Sequence, residues 1–196
     1  APLSTLSNWL AEARRVCPEL KVLNFHGDKE KRASLRDDIL AHVRSLPKDQ
    51  RKDPKHCFDI MLTSPETVLA EESFLQVFRW RALVVDEAHR LKNNGTMLYG
   101  VLESIKKRAF SLLMTGTPLQ NDASELWALL HFAVPASFDD REGFLTLAEN
   151  DEKGLKEKIR PFLLRRTKAE LQLKLPAKTE AVIFTGMSAM QKELYL

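Results

Sequence analysis

Apolar positions along this chain recur in two alternating rhythms, one helical and one extended. Leu6, Trp9, Leu10 and Ala13 fall at helical spacing, with Ser4 or Thr5 placed to cap the first turn. Lys21–Phe25 is a short extended run closed by Gly27. Lys29–Leu46 carries Ala33, Ile39, Leu40 and Val43 on a charged background and predicts a helix. Pro47–His56, rich in Lys and Asp with two prolines, predicts an exposed loop. Phe58–Thr63 predicts a strand, with short helices after it near Glu66–Leu69 and Ser73–Phe78. Ala82–Val85 is an unbroken apolar run, the pattern of a parallel strand buried on both faces. Thr96–Lys107 predicts a helix, Phe110–Thr115 a second buried strand, and Ser124–Phe132 an amphipathic helix capped by Ser124. Beyond Pro135 the pattern predicts helices over Glu142–Leu147 and Gly154–Leu164, a strand over Ala181–Thr185 and a helix from Ser188.

Strand–helix alternation predicts an α/β fold with a mostly parallel sheet flanked by helices, over residues 1–135. Residues 136–196 form a more helical extension. Composition leaves that picture standing: 44% of the 196 residues are hydrophobic and 29% charged, enough apolar material for a real core. Thirty basic against 27 acidic residues give a net charge of +3, which excludes a charge-driven disordered chain or a purely basic tail. No apolar run reaches ~18 residues, so no membrane span is expected. The opening Ala-Pro-Leu-Ser lacks the regions of a signal peptide. Cys17 and Cys57 form no metal or disulfide pattern, and His26, His42, His56 and His131 have no ligand spacing.

In parallel sheets, chemistry gathers at the carboxyl ends of the strands. The run Leu83–Val85 leads straight into Asp86-Glu87-Ala88-His89. Two adjacent carboxylates there suit magnesium-nucleotide chemistry. One holds the ion through water, because Mg²⁺ keeps several waters and few protein ligands, and the other orients the attacking water. The same dipeptide also reads as a surface pair opening the next helix. The second run, Leu112–Met114, ends in Thr115-Gly116-Thr117-Pro118-Leu119-Gln120-Asn121. Its hydroxyls and amides suit sensing of a γ-phosphate, and equally a Gly-Pro turn that satisfies its own backbone.

Together the two motifs resemble the helicase-like ATPases of superfamily 2, of the Snf2 chromatin-remodelling type. Pro2–Trp9 resembles the family's motif Ia, Leu62–Thr67 its motif Ib, Asp86–Asn93 its extended motif II, and Thr115–Asn121 with Glu125–Leu130 its motif III and the helix after it. Phe162–Arg166, Leu175, Pro176, Lys178, Ser188, Gln191 and Tyr195 resemble the passage toward a second lobe. The wording is most similar to the chromodomain-helicase, imitation-switch and macrodomain-bearing branches. The resemblance implies a RecA-like first lobe over 1–135, ATP and Mg²⁺ as cofactors, and duplex DNA, nucleosomes and a second lobe of the same parent chain as partners. It implies a nuclear DNA-dependent ATPase with a DEAH box. Asp86 would hold Mg²⁺ through water and Glu87 would position the hydrolytic water. His89 would couple motif II to motif III, and Thr115, Gly116, Thr117 and Gln120 would relay nucleotide state. Ser4, Asn8, Thr63, Ser64 and Lys92 would lie along DNA.

Three further readings qualify this. Trp9, spaced with Leu6 and Leu10, reads as core, as do Trp80 and Trp127. The basic run Lys106-Lys107-Arg108 reads as a solvated helix end. Pro65 stands where relatives carry an aromatic residue, which removes an amide donor from motif Ib. No Gly-x-x-x-x-Gly-Lys-Ser/Thr occurs in the 196 residues, and the family places that loop before motif Ia. The chain is therefore expected to hold one half of a nucleotide site and to hydrolyse little ATP on its own. A strand-separating DEAH-box helicase, or a scaffold that binds DNA or histones without catalysis, are the alternative readings.

Overall fold

The computed structural model describes residues 1–51, 57–107, 109–116, 122–166 and 179–195. It divides into a compact unit, Ala1–Pro161, and a second, Phe162–Leu196. The first unit opens with a 3₁₀ turn, Leu3–Thr5, that runs into α1 (Leu6–Val16). It continues through β1 (Val22–Asn24), α2 (Lys29–Ser45), β2 (Ile60–Leu62), α3 (Pro65–Ala70), α4 (Glu72–Leu75) and β3 (Ala82–Val85). A 3₁₀ turn over Ala88–Leu91 precedes α5 (Met97–Lys106), β4 (Phe110–Leu113), α6 (Ala123–Ala133), α7 (Arg141–Asn150) and α8 (Glu152–Ile159). The fold class is α/β, as expected. Among the described residues the strands form two parallel pairs, β1 with β2 and β3 with β4, with Val22 opposite Ile60 and Ala82 opposite Phe110.

Local chemistry explains the element boundaries. Asp28 caps α2 by accepting from the Lys31 amide at 2.8 Å. Gly27 before it has φ +143°, and a side chain there would meet Lys31 at 2.7 Å. Ser64 caps α3 by accepting from the Thr67 amide at 3.3 Å. Pro65 occupies the first helical position, where the amide it lacks has no intrahelical partner in any helix. Thr96 caps α5. The cap of α6 is Asp122, not the expected Ser124: its carboxylate accepts from the Ser124 amide at 2.8 Å, which makes Ser124 the second residue of the helix.

The main core joins Phe25, Phe58, Phe74, Phe78, Leu91, Tyr99, Ile105 and Phe132. A second core joins Trp127, Leu130, Phe138 and Phe144, with Leu155 and Ile159 of α8 against it. Because α7 and α8 pack on α6, the boundary expected after Pro135 falls inside this unit.

Three other expectations are corrected. β3 and β4 are buried on one face only: Val84, Phe110 and Leu112 share the other and are 49%, 67% and 44% exposed. Lys106 is not solvated but 5% exposed. Its ammonium donates to the Phe132 carbonyl, in the last turn of α6, where carbonyls lack helical donors. In the second unit, residues 181–185 are irregular and not a strand. That unit's helix, α9 (Ala189–Tyr195), begins with a reciprocal cap. The Ser188 amide donates to Gln191 Oε1 at 2.9 Å, and the Gln191 amide donates to Ser188 Oγ at 3.3 Å. Among the described residues no helix is long and apolar enough to cross a membrane.

Candidate functional site

The site begins where the β3–β4 ladder ends. The Met114 amide donates to Val85 O, and the Ala88 amide donates to Met114 O, both at 2.8 Å. These two bonds wrap the chain around Asp86 and Glu87 and set them beside Thr115 and Gly116, which are exposed at the end of β4. Thr117 and Gln120 lie outside the described residues, as do Leu175, Pro176 and Lys178.

Asp86 is fixed from two sides. Its Oδ1 accepts from the Glu87 amide at 3.0 Å. Its Oδ2 accepts from the indole Nε1 of Trp9 at 3.0 Å. The Thr5 hydroxyl stands 3.4 Å from the same oxygen, but its single proton also faces Pro2 O at 3.0 Å. Trp9 is thus the stronger partner, and it is half-buried at the edge of the site, not a core residue. Glu87 has φ 52° and ψ 49°, a left-handed backbone that costs a non-glycine residue about 1–2 kcal/mol. Its Oε2 lies 3.1 Å from His89 Nδ1, so the described partner of His89 is Glu87 itself.

The candidate nucleic-acid residues lie on several elements of the first unit. Ser4, in the opening 3₁₀ turn, and Asn8, in the first turn of α1, are exposed. The Thr63 hydroxyl donates to Phe25 O at 3.0 Å, and Ser64, only 2% exposed, is occupied as the α3 cap. Lys92 is exposed and pairs with Glu125 of α6 at 2.8 Å. That hydrogen bond, with the charge of Glu125, raises the Lys92 ammonium above its ordinary value. Arg90 pairs with Glu66 at 3.0 Å. The Glu66 carboxyl is lowered first by its own backbone amide and then by Arg90. These pairs tie the 3₁₀ turn over Ala88–Leu91 and the residue after it to Glu66 of α3 and Glu125 of α6.

Sequence reasoning missed three of these contacts: Trp9 with Asp86, Lys92 with Glu125, and the buried Glu71 held by Arg32 and Arg36 at 3.1 Å each. Only the Trp9 contact had a signal in the sequence, since an indole N–H that is buried needs an acceptor. Among the described residues no group of three His, Cys, Asp or Glu side chains is placed to hold a metal ion.

The SNF2-related domain matches residues 1–196. The chain is 40% identical over 203 residues to an ISWI chromatin-remodeling complex ATPase of Arabidopsis thaliana, covering all of this chain and 18% of that protein. It is 41% identical to the chromodomain-helicase-DNA-binding protein 1-like of Mus musculus, covering 99% of this chain and 21% of that protein. The chain therefore spans about a fifth of the length of these relatives. Its fold is similar to the Sulfolobus solfataricus SWI2/SNF2 ATPase core in complex with dsDNA, with TM-score 0.66 and 27% identity over 99% of this chain and 39% of that one.

Proposed function

This chain belongs to the SNF2-related domain family, and from that premise we propose that it forms part of the first lobe of an ATP-dependent translocase that moves duplex DNA on nucleosomes. The observation that carries the reading is the placement of Asp86 and Glu87 at the carboxyl end of β3, clasped to Met114 and hence beside Thr115 by two 2.8 Å backbone bonds. The parent protein acts in the nucleus, closing a second lobe against this one.

The donor set fits a magnesium nucleotide. An ion that keeps most of its waters and takes phosphate oxygens needs one or two protein carboxylates rather than a cage, and each Asp86 oxygen keeps acceptor capacity beyond its observed bond. When bound, ATP would supply the phosphoryl group and Mg²⁺ the positive charge that offsets its oxygens. Asp86 holds the ion through water. Glu87 accepts a hydrogen bond from the attacking water and orients it, with its own carboxylate steadied by His89. Thr115, Gly116, Thr117 and Gln120 relay nucleotide state. Ser4, Asn8, Thr63 and Lys92 touch phosphates, which gives grip without reading bases. Ser64 supports them as the α3 cap.

The test is phosphate release by the parent protein alone, with duplex DNA, and with nucleosomes. Stimulation by DNA or nucleosomes is expected, and Glu87→Gln is expected to reduce it by about a hundredfold or more, the scale of a lost catalytic proton or water-orienting group. No release from a folded, DNA-binding parent would leave a scaffold.

A further inference from the structure

The three tryptophans differ in what their indole N–H groups hold. Trp80 donates to Leu75 O at 2.8 Å and Trp127 to Phe138 O at 3.1 Å, each a backbone carbonyl close in sequence. Trp9 donates instead to a carboxylate, Asp86 Oδ2, 77 residues away. A bond to an ionised acceptor is roughly twice as strong as a neutral one. With Oδ1 held by the Glu87 amide and Oδ2 by the indole, the carboxylate cannot turn without breaking one bond.

Trp9 also stands at a junction. On α1 it faces inward, while its neighbour Asn8 is exposed. A rigid helix moved by a ligand on its outer face moves the indole on its inner face. We infer that Trp9 is the positioning residue of Asp86, and that its indole N–H carries the engagement of α1 by a nucleic-acid backbone to that carboxylate. The inference rests on the roles proposed above for Asp86 and for Ser4 and Asn8.

Trp9→Phe removes the donor and keeps a ring. In the parent protein it is expected to raise the Mg²⁺ concentration for half-maximal turnover about tenfold and to cut stimulation by DNA about tenfold, the size of one hydrogen bond to a charged group. Trp80→Phe, which loses an indole bond to a carbonyl, should leave both within about twofold on the same scale. Wild-type Mg²⁺ and DNA responses in Trp9→Phe would overturn the inference. The contact itself is read without turnover, by fluorine NMR of the fluorotryptophan-labelled parent, with the Trp9 signal assigned by its loss in Trp9→Phe. Asp86→Asn should displace that signal and leave those of Trp80 and Trp127 in place. An unmoved Trp9 signal would overturn the contact. A displaced signal in a parent whose turnover ignores DNA would keep the positioning role and sink both the coupling and the functional reading.

Discussion

Phe132 is fully buried between two groups that respond oppositely to alkali. The Lys106 ammonium lies 4.3 Å from its ring centroid, and the Tyr99 ring meets it edge-on at 5.0 Å. Burial lowers the Lys106 ammonium, with Glu103 opposing. A lysine lowered on folding penalises the folded state at neutral pH, and the penalty is relieved as pH rises toward the ordinary value of 10.5. Burial raises the Tyr99 phenol to about 12 from 10.0, with Glu103 adding to the shift. Its folded value is the higher one, so the stability it contributes is complete below 10 and is lost as pH rises through about 12. Tyr99→Phe removes that loss. Its hydroxyl reaches Ala128 O only at 3.5 Å, so the substitution should cost about 1 kcal/mol or less at neutral pH. Urea unfolding between pH 10 and about 12 should show the variant gaining on the wild type. A constant difference across that window would remove Tyr99 as the cause.

At the scale of elements, α3 shows how a residue type can serve two readings. A buried serine one place before a proline is a helix cap by geometry and a phosphate contact by motif. Ser64→Ala should lower stability by about 1–2 kcal/mol through the lost cap, read as a fall in urea midpoint. Thr63→Val also loses the hydroxyl's bond to Phe25 O, so DNA affinity is compared where both variants are fully folded: a cap-only Ser64→Ala should keep it, and Thr63→Val should weaken it. The eight α-helices and four strands described in the first unit were legible in the hydrophobic rhythm, though their ends shift by a few residues, because apolar positions recur on the faces they bury. The failures have a physical pattern. An unbroken apolar run such as Ala82–Val85 records two apolar faces but not whether both find a partner, and here one stays exposed. Ala181–Thr185 has strand-forming residues and no neighbour with which to pair among those described. In the site, Asp86 and Thr115 were brought together by the rule for strand ends, whereas Trp9 with Asp86 and Lys92 with Glu125 depend on where α1 and α6 dock. Helical spacing made Trp9 look like core, since the same spacing serves any inward-facing residue.

The whole of the first unit is organised by one helix with two buried faces. Leu129 and Phe132 of α6 belong to the main core, and Trp127, Ala128 and Leu130 to the second. A helix that buries apolar side chains on two faces is stable only when both are covered, so losing either core exposes part of α6 to water. The two cores should therefore unfold together. Phe74→Ala in the main core and Phe144→Ala in the second remove side chains that are 5% and 1% exposed, and each should cost about 3–5 kcal/mol. Amide hydrogen exchange distinguishes a shared loss from a local one. Phe144→Ala should reduce protection in α2, whose Leu35, Ile39 and Val43 pack only on the main core, as well as in α7 beside the substitution. If α2 keeps its protection while α7 loses it, the cores are independent and α6 does not couple them.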